Sequence, residues 1–130
     1  MTSLDDAPIL SARRIGKRYG ARVACTDVGF DLYEGEVLSV VGESGSGKST
    51  LLALLSARLT PDTGTVSYRM RDGALRDLRR LTEAERRLLM RTDWGFVHQD
   101  AALGLRMGVS AGANVGERLM AVGERHYGRI

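Results

Sequence analysis

The stretch Gly42-Glu43-Ser44-Gly45-Ser46-Gly47-Lys48-Ser49-Thr50 decides the reading of this 130-residue chain. It has the form G-x-x-x-x-G-K-[ST], with an apolar run before it and a leucine-rich stretch after it. Glycines let the backbone turn so that successive amides face inward. The helix that follows begins with unpaired N–H groups and the positive end of its dipole. A triphosphate tail fits such a nest, so the ligand class is a nucleoside triphosphate with magnesium. Lys48 is expected to reach the β- and γ-phosphates, the Ser49 hydroxyl to ligate the metal, and the Thr50 hydroxyl to lie within reach of the α-phosphate. Arginine dominates the basic residues; the two lysines are Lys17 and Lys48, and the second stands where the loop requires it.

A loop of this kind counts when a strand enters it and a helix leaves it. Residues 36–41, Glu-Val-Leu-Ser-Val-Val, read as a short buried parallel strand. Leu51, Leu52, Leu54, Leu55 and Leu59 predict a helix apolar on most faces, ended by Thr60-Pro61-Asp62-Thr63-Gly64. Residues 9–14, 28–33 and 65–68 read as further strands, with turns at Tyr19-Gly20, Glu34-Gly35 and Asp72-Gly73. No helices separate them, so an antiparallel piece is expected beside a parallel core. Residues 75–91 read as helical, with a capping box Thr82-x-x-Glu85 starting the best-defined helix. Trp94-Gly95-Phe96-Val97-His98 returns to strand, closed by Gln99-Asp100. Beyond it, Gly104, Gly108, Gly112 and Gly116 recur every fourth residue. A membrane helix pair is one reading of that spacing. Arg106, Asn114, Glu117 and Arg118 interrupt the stretch, which favours a soluble loop running into a helix capped by Ser110.

Bulk properties exclude several classes. A 43% hydrophobic content supports a globular core and excludes a disordered chain. The net charge of +3 suits a chain that binds anions locally and makes no case for nucleic acid. The arginines between Arg69 and Arg91 are interleaved with Asp72, Asp77, Glu83 and Glu85, as on a solvated, ion-paired face. Cys25 stands alone, which excludes an internal disulfide and fits a reducing compartment and a small apolar role. His98 and His126 lack companions at metal-ligand spacing, and Trp94 reads as core. The acidic start and the lack of a long apolar run read as cytosolic.

Tyr19 in Lys17-Arg18-Tyr19-Gly20, the loop, and Gln99 in His98-Gln99-Asp100 follow one another in the order found in ATP-binding cassette domains, and the chain resembles the first half of one. The resemblance implies an α/β P-loop NTPase fold of the cassette type: the start of a parallel core and an antiparallel β subdomain over about residues 1–100, and the exit of the glutamine loop with the start of a helical subdomain over about 101–130. It implies that Tyr19 stacks on adenine and that Gln99 touches magnesium and the attacking water. An aromatic face stacks any base, and an amide both donates to water and accepts at a metal. Gly42, Glu43, Ser44, Gly45, Ser46 and Gly47 would wrap the phosphates, with Lys48 and Gln99 as the catalytic pair and Ser49 and Gln99 as the metal contacts.

Further segments are similar to the branch of the family that serves bacterial carbon–phosphorus lyase systems: Ser56-Ala57-Arg58-Leu59-Thr60-Pro61, Arg91-Thr92-Asp93-Trp94-Gly95, the glycine-rich stretch 108–120, and Arg125-His126-Tyr127-Gly128. What this implies is an ATPase that acts with the lyase core subunits in phosphonate breakdown and pairs with a second cassette copy. Two other readings stay open: the ATP-binding subunit of a peptide or phosphonate importer, peripheral to the inner membrane on a permease, and a nucleotide-binding or docking fragment without catalysis. The sequence contains no Leu-Ser-Gly-Gly-Gln-like segment and no apolar strand ending in Asp-Glu. It is therefore expected to be the amino-terminal part of a cassette, to bind nucleotide weakly at best by itself, and to hydrolyse it negligibly. Relatives often have proline after the glutamine, where this chain has Asp100-Ala101-Ala102.

Overall fold

The structure is a computed structural model that describes residues 7–121 and divides into two compact units, Met1–Thr82 and Glu83–Ile130. The first is built on an antiparallel sheet of four strands, β1 (Leu10–Tyr19), β2 (Arg22–Leu32), β3 (Thr63–Arg69) and β4 (Leu75–Asp77), in the order β2-β1-β3-β4. Strands β1 and β2 form a hairpin closed by the pair Tyr19↔Arg22, and both run longer than the short apolar runs predict. Register shifts interrupt the hairpin. At one of them Arg14 and Asp27 both take positive φ and pair through Arg14 Nε and Asp27 Oδ1 at 3.0 Å. Such irregularities add local twist, and the short polar side chain of Asp tolerates the left-handed region.

Helix α1 (Lys48–Leu55) follows the loop, then β3 (Thr63–Arg69) returns beside β1. Ala12, Ile15, Leu51, Leu54, Val66, Tyr68, Leu78 and Leu81 are the buried apolar residues of this unit. The leucine helix is buried on one side only: Leu54 is enclosed while Leu52 is exposed. Ser11 is buried, and its hydroxyl donates to Asp31 Oδ1 at 2.7 Å, with Arg13 completing the carboxylate's partners at 2.8 Å.

Residues 75–80 depart from the helical reading. Met70 N donates to Ala74 O and Gly73 N to Met70 O, both at 2.9 Å, so the Asp72-Gly73 turn is a hairpin turn. It folds Leu75–Asp77 back onto β3 as β4, and a single 3-10 turn, Leu78–Arg80, follows. Backbone pairing to an existing strand edge outweighs the weak helical preference of so short a stretch.

Two predicted strands are also absent. Residues 36–41 and 94–98 form neither helix nor strand, and Val37, Val41 and Val97 are 93%, 87% and 94% exposed. A parallel strand exists only through its neighbours, and no described strand pairs with either segment.

The turn that closes the α1 segment is stapled to β1. Asp62 accepts from Arg18 N at 2.8 Å and from Lys17 Nζ at 3.1 Å, and Lys17 also donates to Thr60 O at 3.1 Å. The Arg18 amide first, and then the Lys17 ammonium, hold the Asp62 carboxyl below its usual range. Stability from this group is thus present above the unfolded carboxylate pKa of about 3.9 and is lost as pH falls through the depressed value. Asp62→Asn is expected to flatten the acid limb of a stability–pH curve below about pH 4. An unchanged acid limb would show that the staple does not matter. Screening makes the effect modest, because the group is nearly half exposed.

The second unit contains α2 (Glu83–Thr92), α3 (Ala101–Gly104) and α4 (Ala111–Ala121). Helix α2 starts immediately after Thr82, where the capping box puts it. Glu83 pairs with Arg87 at 3.1 Å and with Arg86 at 3.7 Å, as expected of a solvated charged face. Asp100 caps α3 by accepting from Ala102 N at 3.0 Å. The Ser110 hydroxyl accepts from Ala113 N at 3.2 Å, confirming the predicted cap of α4. Asn114 then binds the preceding loop through both atoms of its amide, accepting from Arg106 N at 2.8 Å and donating to Arg106 O at 3.1 Å. Among the described residues no helix is long and apolar enough to cross a membrane. The segment Arg125-His126-Tyr127-Gly128 lies outside the described residues.

Candidate functional site

Residues 42–50 form one continuous loop and helix start in the first unit. Gly45 and Gly47 lie at φ 80° and 97°, the left-handed region that other residues enter at a cost of about 1–2 kcal/mol. At Gly47 there is a second reason. An added Cβ would collide with the Ala24 carbonyl, so glycine alone lets the loop rest on the start of β2. Gly42 is tight as well, since a Cβ there would lie 2.6 Å from Ser46 Oγ.

Lys48, the first residue of α1, curls back across the loop. Its ammonium donates to Gly42 O at 2.5 Å, to Glu43 O at 2.6 Å and to Ser46 Oγ at 3.2 Å. All three of its donors thus point into the concavity of the loop. Leu51 N donates to Gly47 O at 2.9 Å and Ser46 N to Glu43 O at 3.1 Å, which fixes the helix start and the loop's own turn. Ser49 is exposed and Thr50 half-buried, one and two residues beyond the lysine. A positive charge held in a glycine-built concavity at a helix start is the arrangement that receives phosphate. No cluster of three or more His, Cys, Asp or Glu is found among the described residues. A magnesium ion here would draw on the Ser49 hydroxyl, phosphate oxygens and water, which suits an ion that retains much of its hydration.

Tyr19 belongs to the same unit. It is 50% exposed at the closed end of the β1–β2 hairpin, with Lys17 Nζ 5.9 Å from its ring centroid. Its cross-strand partner Arg22 donates from Nη2 to Gly45 O at 3.2 Å, so the hairpin end is joined directly to the loop. Sequence reasoning overlooked Arg22; the signal available was its position opposite Tyr19 across a two-residue turn. Gln99 belongs to the second unit, where it is exposed and precedes the Asp100 cap. His98 contacts Phe96, ring to ring, at 4.9 Å. Cys25 is half-buried, and burial pushes its thiol up, the state of an unreactive packing residue.

The family model for ABC transporters matches residues 25–125. The phosphonates utilization ATP-binding protein PhnK of Escherichia coli (strain K12) is 54% identical over 123 residues, which is 95% of this chain and 47% of that protein. The fructose import ATP-binding protein FrcA of Rhizobium meliloti is 48% identical over 59 residues, 45% of this chain and 23% of that protein. Among solved structures, the dimeric post-hydrolysis state of the ATP-binding cassette MJ0796 bound to ADP and Pi superposes with a TM-score of 0.70. It is 27% identical, and the match covers 90% of this chain and 49% of that one. The chain therefore spans about half the length of these full-length relatives. The matched region contains the glycine loop, Lys48 and Gln99, and on this evidence the chain belongs to the ABC transporter family.

Proposed function

We propose that this chain supplies the nucleotide-holding part of an ATP-binding component for phosphonate breakdown. The observation that carries the reading is Lys48, whose ammonium is held inside the glycine loop by Gly42, Glu43 and Ser46. In the proposed complex Lys48 turns from these acceptors to the β- and γ-phosphates of ATP, residues 42–47 enclose the triphosphate, and Thr50 lies toward its α-phosphate. Magnesium neutralises phosphate charge, and Ser49 is its proposed ligand here. Tyr19 is assigned to the adenine. Gln99 is assigned to the metal and the attacking water from its sequence position alone.

We further propose that residues 1–130 are the amino-terminal portion of a single ATP-binding domain, with the helical part starting near residue 101. Such a protein would be cytoplasmic and would pair with a second cassette. The choice of phosphonate breakdown rests on the extent of the likeness. Similarity to PhnK runs through 95% of the chain, whereas similarity to the fructose import protein stops at 45%. That shorter likeness favours the importer as the second reading, with a membrane permease as partner.

The two separate on affinity isolation of the tagged protein from its host, grown with an alkylphosphonate as sole phosphorus source. Recovery of soluble carbon–phosphorus lyase subunits is expected. Integral membrane permeases in their place would favour the importer reading, and recovery of neither would leave a nucleotide-binding fragment.

A further inference from the structure

The start of β2 touches the loop at two points on either side of Ser46. The guanidinium of Arg22 reaches the Gly45 carbonyl, and the Ala24 carbonyl fills the space where Gly47 lacks a side chain. Arg22 is also paired with Tyr19 across the hairpin, and directly opposed residues project from the same face of an antiparallel pair. One short strand end therefore carries an aromatic ring and a cation side by side, with the cation fastened to the tip of the phosphate loop.

We propose that Arg22 is a nucleotide-positioning residue that fixes the spacing between Tyr19 and the 42–50 loop. The inference rests on the nucleotide-binding reading above and extends it to a residue which that reading does not use. A nucleotide engages two subsites at once, the base on the ring and the phosphates in the loop. Affinity for the whole then depends on the two being held at the right separation before binding. Arg22 supplies that constraint through a hydrogen bond from a charged donor, the kind of contact whose removal changes binding by about tenfold.

The experiment is a calorimetric titration of the full chain and its variants with magnesium ATP and, separately, with magnesium tripolyphosphate, which fills the loop and has no base. Arg22→Ala is expected to weaken ATP binding by about tenfold and tripolyphosphate binding by less than about threefold. Arg22→Lys, which keeps a cationic donor, should restore part of the ATP affinity. In a Tyr19→Ala background the loss from Arg22→Ala should nearly vanish, because the spacing no longer matters. Arg22→Gln serves in place of the alanine variant should that one fold poorly.

Equal losses for the two ligands would overturn the proposal, since they would mean that Arg22 only props the loop or touches phosphate itself. Additive losses with Tyr19→Ala, or no loss, would overturn it as well. Failure of the underlying reading looks different: wild-type chain that binds neither ligand, or binding indifferent to Lys48→Ala, removes both proposals together. Binding that needs Lys48 and ignores Arg22 removes this one alone.

Discussion

Replacing Lys48 by alanine is expected to weaken magnesium ATP binding by about 10- to 100-fold while moving the thermal midpoint by no more than about 2 °C. The separation of the two effects follows from where the ammonium sits. Its partners Gly42, Glu43 and Ser46 are on an exposed loop, so water takes over their hydrogen bonds when the lysine is removed. Phosphate has no comparable substitute for a cation placed in a concave cradle. Lys48→Arg is expected to recover little, because a planar fork cannot reproduce three donors diverging from one nitrogen. Titration calorimetry paired with a melting curve checks both parts. A large fall in the melting midpoint with unchanged affinity would assign Lys48 to loop structure and remove it from binding.

The second large effect concerns the sheet beneath the site. Gly64 lies at φ 77°, and an added Cβ would drive into the backbone of Arg13 and Arg14 on β1. Arg13 is held in place by its pairing with Thr65 on β3, and Arg14 follows it at the register shift. Gly64→Ala therefore combines left-handed strain of about 1–2 kcal/mol with a backbone collision, for a total of about 3 kcal/mol or more. For a chain of this size that lowers the midpoint by about 10 °C. Gly73→Ala is the matched control. Gly73 has φ 85° and open space around it, so that variant is expected to lose only about 1 kcal/mol. Chemical denaturation of the two variants side by side reads the difference. Equal losses would show that the close approach of β3 to β1 is not tight.

Local features were legible in the sequence. The glycine loop, the Asp72-Gly73 turn, the Ser110 cap and the start of α2 all depend on residues within a few positions of one another, and each lies where the sequence puts it. Features that need a distant partner were less legible. The valines of residues 36–41 carry a strand pattern, yet a strand requires a neighbour, and none of the described residues provides one. The opposite error occurred at Leu75–Asp77, where the existing edge of β3 drew a helix-like stretch into the sheet. Arg22 was invisible for a related reason. Its importance comes from a contact across 23 residues that no local pattern announces. The other lysine has the same lesson: Lys17 looks unremarkable in sequence and proves to be the residue that binds the Thr60 and Asp62 turn to β1.

The 42–50 loop is proposed to hold a nucleotide, and residues 1–130 alone are expected to hydrolyse it negligibly. Purified 130-residue protein, incubated with magnesium ATP and followed for binding and for phosphate release in one experiment, tests both directly. Binding that depends on magnesium and on Lys48, with phosphate release no faster than in a protein-free control, is the predicted result. Sustained ATP turnover, or no nucleotide binding at millimolar ATP, would contradict it.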